Sequence, residues 1–224
     1  MMRFTPIEVL GCTAAMSGTD EGDCASRAPS SGTAQFLEQL GLGGRRPVLV
    51  RQTHSDIIHV AESIGLGDAP VGDALITARP GLPIGVAVAD CVPVFLFAPD
   101  SRTGGIVHAG REGTRQQIAG KTVLRLQEVF GTAPESVHAL IGPSAGPCCY
   151  EVSVEMAQAC AAEGIPVRGR YLDLWEANFR QLCAAGVPAQ HVTVSKHCTL
   201  CGVGFHSYRA SGTAARNLAL FCLP

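Results

Sequence analysis

Apolar residues recur along this chain in short runs punctuated by glycine and proline. Most runs have strand length, and a few carry the spacing of a helix. Pro47-Val48-Leu49-Val50 reads as a strand, with Asp56-Ile57-Ile58-His59-Val60 as its expected partner and His54 at a turn or bulge between them. Ala74-Leu75-Ile76-Thr77 is a further strand. Ile84 to Ala89 and Val92 to Phe97 are continuous apolar runs, the pattern of strands covered on both faces. Pro93 lacks an N–H, which predicts a bulge or break beside Asp90-Cys91. Gly105 to His108, Val137 to Ile141 and His191 to Val194 complete the expected strands.

Helices are expected where the period changes. Phe36, Leu37 and Leu40 place a short helix over Gln35 to Leu42, after a Ser-, Gly- and Thr-rich loop at 17–34. Ile118, Val123, Leu124, Leu126, Val129 and Phe130 form the apolar side of a helix from Thr114 to Phe130, which Gly131 can close in the left-handed conformation. Ser153 to Glu163 is a helix ended by Gly164. Asp173-Leu174-Trp175-Glu176 carries a capping-box pattern and opens a helix reaching Ala185. Ser211 to Leu220 reads as a last helix. Strands and helices are interspersed without a regular βαβ rhythm, so the expected class is α+β with mixed sheets.

Composition narrows the class. With 46% hydrophobic and 16% charged residues among 224, the chain can build a sizeable core. A net charge of -2 supplies no field for nucleic acid or an anionic membrane. No run approaches the ~18 apolar residues of a membrane span, and the first residues lack a secretory pattern. The ten cysteines include an adjacent pair, Cys148-Cys149, and several in apolar, helix-like contexts. That distribution suits a cytoplasmic chain with buried thiols better than a disulfide framework.

Two sets of residues offer metal chemistry. His54, Cys91 and His108 each end a short segment, and two imidazoles with one thiolate can hold a transition metal while leaving a coordination position open. Asp90 is expected to hydrogen-bond a loop or a ligating ring. A rival, closed site can be drawn from Cys198 and Cys201 with His197 and His206. Cys148 and Cys149 are not expected to ligate one metal, because successive side chains of an extended segment face opposite ways. Gly142-Pro143-Ser144-Ala145-Gly146-Pro147 fits neither a phosphate loop nor a serine-hydrolase elbow, and reads as a rigid turn shaping a pocket wall.

Taken in order, Gln52-Thr53-His54, Ala89-Asp90-Cys91-Val92-Pro93-Val94, Val107-His108-Ala109-Gly110, Ile141 to Val152 with its Gly-Pro-Cys-Cys-Tyr-Glu-Val, Cys198-Thr199-Leu200-Cys201 and Phe205-His206-Ser207-Tyr208-Arg209 resemble the laccase-domain, or multicopper polyphenol oxidase, family. Its members are now generally regarded as purine nucleoside phosphorylases. The resemblance implies a single four-layer α/β/β/α domain over residues 1–224, with zinc on His54, Cys91 and His108. It further implies phosphate-dependent cleavage of adenosine, inosine, guanosine and methylthioadenosine, together with adenosine deamination. Arg51, Arg111 or Arg209 would then hold the phosphate, Glu112 would carry protons, and Asp90 would support the metal. The alternatives are copper-dependent oxidation of phenols and a non-catalytic nucleoside- or protein-binding member. A multicopper oxidase needs about ten or more His and Cys ligands, whereas this chain has seven histidines in all. Three segments depart from the family pattern. Arg111-Glu112 stands for Trp-Arg, His206 for an aromatic, and the amino-terminal Cys12 to Gly18 segment lacks the family's arginine.

Overall fold

The structure is a computed structural model that describes residues 1–24, 30–65 and 67–224. The chain opens with β1 (Met2–Arg3), the single turn α1 (Thr5–Glu8) and β2 (Thr13–Met16). Helix α2 (Ser31–Gln39) follows, capped by the Ser30 hydroxyl accepting from Thr33 N. It therefore starts inside the segment expected to be loop, whose residues 25–29 lie outside the described residues. Then come β3 (Val48–Leu49), β4 (Ile58–Val60), β5 (Ala74–Thr77), β6 (Ile84–Val88), β7 (Val92–Ala98) and β8 (Thr103–Ala109). Helices α3 (Arg111–Arg115) and α4 (Ile118–Phe130) lead to β9 (His138–Ile141), α5 (Val154–Ala162), the small hairpin β10 (Val167–Arg168) and β11 (Tyr171–Leu172), and α6 (Leu174–Ala184). The chain ends with β12 (Val192–Val194), α7 (Tyr208–Ser211) and β13 (Asn217–Cys222). Among the described residues no helix is long and apolar enough to cross a membrane.

Two mixed sheets dominate. One has the strand order β1-β2-β13-β6-β3, the other β12-β9-β7-β8-β5-β4. Their facing sides share one core, in which Val86, Val88 and Phe221 of the first sheet meet Leu75, Phe95, Phe97 and Ile106 of the second. Leu218 and Leu220 point the other way, onto Phe36 and Leu37 of α2 and Leu40 at its end. The outer side of the second sheet packs Val94, Leu96 and Val107 on α4 and α6. The order of layers is thus helix, sheet, sheet, helix, which is the α/β/β/α arrangement expected. Strands β7, β8 and β13 are buried along their whole length, so their continuous apolar runs follow from burial on two faces.

Several expectations need correction. Residues 47–50 and 56–60 do not pair with each other: β3 pairs with β6 in one sheet, and β4 with β5 in the other. His54 therefore lies in the crossover between sheets, not in a hairpin. The long helix from Thr114 is two helices, because Gln117 takes a left-handed conformation (φ 62°) between α3 and α4. Pro93 makes no bulge. It sits within β7 opposite His108, where the β9 ladder has ended. The expected last helix is instead one turn, α7, followed by strand β13. Its Ala- and Leu-rich sequence favours a helix locally, but the slot between β2 and β6 imposes a period of two.

Gly104 marks how closely the sheets approach. A Cβ there would overlap the Phe221 ring and lie 2.7 Å from the Leu96 carbonyl oxygen. Replacing Gly104 with alanine should therefore cost about 1–3 kcal/mol of stability through overpacking. Urea denaturation measures this, and an unchanged midpoint would show that the sheets can separate freely.

Candidate functional site

The site is built where the chain passes between the sheets. After β3, the Gln52 side chain continues the pairing with β6: Nε2 donates to Ala87 O at 2.7 Å, and Oε1 accepts from Ala87 N at 2.8 Å. The chain then turns sharply, with His54 at φ 60°. This conformation is costly for a residue with a side chain and needs outside support. The support is Asp73, which is fully buried. Its carboxylate accepts from the amides of Thr53 (3.2 Å), His54 (3.0 Å) and Ser55 (2.7 Å), and from Ser55 Oγ (2.6 Å). The same carboxylate accepts from His108 Nδ1 at 2.8 Å.

One buried acid therefore orients two histidines from separate segments. Burial pushes its pKa up, but hydrogen bonds from His108 and Ser55 outweigh this and hold it well below the usual carboxylate range. With Nδ1 of His108 engaged, its Nε2 is left for Cys91 and His54. Ligand atoms of His54, Cys91 and His108 lie within 4.8 Å of one another, and Cys91 Sγ is 3.8 Å from His54 Nε2. Burial would raise the Cys91 thiol, but the nearby His108 and His54 rings bring it down to about 6. Burial would likewise depress His108, but the Cys91 thiolate and Asp73 lift it to about 9. Gly110 is required here, since a Cβ would lie 2.9 Å from both Cys91 Sγ and His54 Cδ2.

The cluster opens on a cavity of about 450 Å³ that includes Gln52, Arg111, Tyr150, Tyr208, Arg209 and Arg216 in its walls. Arg209 stacks its guanidinium 4.6 Å from the Tyr150 ring centroid and donates to Glu151 O at 2.6 Å. Arg216 lies over Tyr208 at 5.7 Å. Arg111 reaches the cavity from the start of α3, and it also contacts Met156 Sδ and pairs with Glu112 at 3.1 Å.

The structure brings some of the expected residues together and separates others. Arg51 is not in this cavity; it lines a neighbouring one of about 290 Å³, on the other side of Gln52. Asp90 borders the cavity, but its carboxylate is engaged by Thr199 and Arg209 rather than by a ligating ring. Its Oδ1 accepts from Thr199 Oγ1 at 2.6 Å and its Oδ2 from Arg209 N at 2.8 Å. The carboxylate that orients a ring is Asp73, which the sequence reading missed; its signal was an acid placed directly before the apolar run at Ala74. Glu112 lines an adjoining cavity with His54 and Cys91, and it is held by Arg111 and Arg115. Arg216 was also missed. The rival cysteine–histidine cluster has a different membership. Cys198 and Cys201 gather with Cys148 and Cys149, because residues 147–149 form a turn and adjacent side chains can converge there. His197 bonds Ser195 O, and His206 bonds Gly22 O.

Fold and site together define a class of two-sheet α/β/β/α proteins whose polar chemistry sits at the crossover between the sheets. The chain belongs to the family described as multi-copper polyphenol oxidoreductase laccase, which matches residues 17–224. It is 40% identical to the purine nucleoside phosphorylase YlmD of Geobacillus stearothermophilus over 83% of this chain and 75% of that protein. It is 33% identical to adenosine deaminase RL5, from an unknown prokaryotic organism, over 78% of this chain and 73% of the other. The crystal structure of YlmD from Geobacillus stearothermophilus superposes with a TM-score of 0.83 at 30% identity, covering 98% of this chain and 94% of that one.

Replacing Asp73 with alanine would strand three amides and one buried imidazole. The expected loss of stability is about 3–5 kcal/mol, read from denaturant unfolding. A loss below about 1 kcal/mol would mean that the crossover is held by something else.

Proposed function

We propose that this protein is a zinc-dependent enzyme of purine nucleosides, which splits them with phosphate and also deaminates adenosine. The observation that carries the reading is the convergence of His54, Cys91 and His108 beside an open cavity. The donor set fits zinc: a thiolate and two imidazoles, His108 giving up its Nε2 proton in favour of a bound cation while Asp73 keeps hold of Nδ1. A zinc ion held there would supply Lewis acidity toward a substrate or water oxygen. The relatives named as purine nucleoside phosphorylase and adenosine deaminase support both halves of the proposal.

The chain's own residues supply the rest. Tyr150 and Tyr208 offer ring faces and edges to an aromatic base. The Arg209 and Arg216 guanidinium groups are suited to a phosphate, with Arg111 at the same wall. These positions take over the anion-binding role that the altered Arg111-Glu112 pair and the missing amino-terminal arginine leave open. In phosphorolysis, a phosphate oxygen bonds to the anomeric carbon as the bond from that carbon to the base nitrogen breaks, and the base leaves protonated. In deamination, water oxygen replaces the amino group at C6 and ammonia leaves. Glu112, beside His54 and Cys91, is the carboxylate proposed to move protons. Asp90 is proposed to position Arg209, since both its oxygens are already engaged.

The donor count favours this reading over copper oxidation. Two of the chain's seven histidines join the cluster. His59 bonds Val71 O, while His138 and His191 stack on each other at 4.1 Å.

Adenosine supplied with phosphate should yield free base and ribose 1-phosphate; without phosphate it should yield inosine and ammonia, separated by chromatography. Cys91→Ala should lower both rates about 100-fold or more, and chelation should abolish them until zinc is restored. Arg209→Ala should raise KM for phosphate about tenfold or more, as expected for a lost charge-assisted hydrogen bond. Unchanged turnover in Cys91→Ala, or none in the zinc-loaded wild type, would rule the proposal out. Nucleoside binding without turnover would instead indicate a binding protein.

A further inference from the structure

Across the cavity wall from the His54 cluster, the sulfurs of Cys148, Cys149, Cys198 and Cys201 lie within 4.8 Å of one another, and none is in a disulfide. Cys148 and Cys201 Sγ are 3.8 Å apart. A disulfide requires about 2.05 Å. Four thiolates arranged tetrahedrally around one ion, with metal–sulfur bonds of about 2.3 Å, have sulfur–sulfur edges of about 3.8 Å. The Cys148–Cys201 separation matches such an edge, and all four sulfurs lie close enough to share one ion.

The local backbone is shaped for this arrangement. Residues 198–202 form a tight turn closed by Gly202 N donating to Cys198 O at 2.8 Å. A side chain on Gly202 would collide with that carbonyl. Gly146 N donates to Cys198 Sγ at 3.3 Å, and the amides of Leu200 and Cys201 face the same sulfur. N–H groups aimed at sulfur favour the thiolate over the thiol. Gly146 must be glycine too, since a Cβ would lie 2.6 Å from the Trp175 ring and 3.2 Å from Cys198 Cβ. The turn at 147–149, closed by Cys149 N and Tyr150 N donating to Gly146 O, delivers two consecutive sulfurs to the same point.

We propose that Cys148, Cys149, Cys198 and Cys201 bind a zinc ion of their own, separate from the His54–Cys91–His108 cluster. Binding expels the thiol protons as four thiolates close around the cation. With four protein ligands the site is closed, so its work is structural. It clamps the 147–149 turn to the 198–202 turn, and each turn supports the cavity. Tyr150 follows Cys149 directly and carries the stacked Arg209. Thr199, inside the second turn, holds Asp90 next to Cys91. The inference does not require the nucleoside chemistry to be right.

Metal content of the full-length protein, prepared with reductant and zinc, tests it. Wild type should hold two zinc ions per chain, with Cys201→Ser and Cys148→Ser each losing one. Cys91→Ser should keep the four-thiolate ion, and its cobalt-substituted form should show strong thiolate-to-cobalt absorption. That absorption should be lost in the Cys91→Ser/Cys201→Ser double variant. Equal zinc in Cys201→Ser and wild type, or none in Cys91→Ser, would overturn the proposal. Loss of zinc from Cys91→Ser confined to one ion tests the other cluster separately. A second measurement needs no variant. Cys148 and Cys201 are exposed, so alkylation mapped by peptide mass should miss them in zinc-loaded protein and label them after chelation. Labelling that ignores zinc, or a denatured mass short by the hydrogens of a disulfide, would overturn it as well.

Discussion

The crossover between the sheets is held by one carboxylate. Asp73 comes from the start of β5, yet its acceptors are spent on residues 53–55 and on His108 at the end of β8. A fully buried acid is normally a liability, because removing it from water costs several kcal/mol. Here five donors surround it, and no lone pair is left to bear that cost. The left-handed backbone at His54 is tolerable only because the amides on either side end on this group. Ring orientation, crossover geometry and sheet packing therefore share a single polar centre.

The cavity above it is organised by stacking as much as by charge. Arg209 lies on Tyr150 and Arg216 on Tyr208, so each cation is braced by an aromatic face. Braced guanidinium groups lose less freedom on meeting an anion than solvated ones do. Arg111 is restrained differently, by its pairing with Glu112. The change from Trp-Arg to Arg-Glu leaves a positive group at the wall while adding a carboxylate beside it.

Much of this architecture could be read from the chain before its coordinates. Continuous apolar runs at 84–89 and 92–97 reported two-sided burial, and two of the three metal-type donors, Cys91 and His108, stood at the ends of strand segments, with His54 just past the 47–50 strand. What escaped the reading depended on partners distant in sequence. Asp73 looks like any acid before a strand until residues 18 to 35 positions away converge on it. Asn217 to Cys222 looks helical until a gap between two strands demands alternation. The cysteine pair at 148–149 was read as extended, and only the turn there lets both sulfurs face one way. Arg51 and Gln52 show the converse: Gln52 borders both cavities, whereas Arg51 lines the neighbouring one and not that of the cluster.

The joint at Gln116-Gln117 has a consequence for how this scaffold can vary. Because Gln117 interrupts the helix, α3 hangs from the end of β8 while α4 is anchored in the outer core. Helix α3 is thus a short tether, with Arg111 at its β8 end beside the opening and a left-handed joint at its other end. Adding or deleting one residue at that joint would shift the register of α4 by about 100° per position, while Arg111, set from β8, keeps its place at the opening. The wall of the opening is thereby insulated from changes in the outer helical layer, so the two can vary separately.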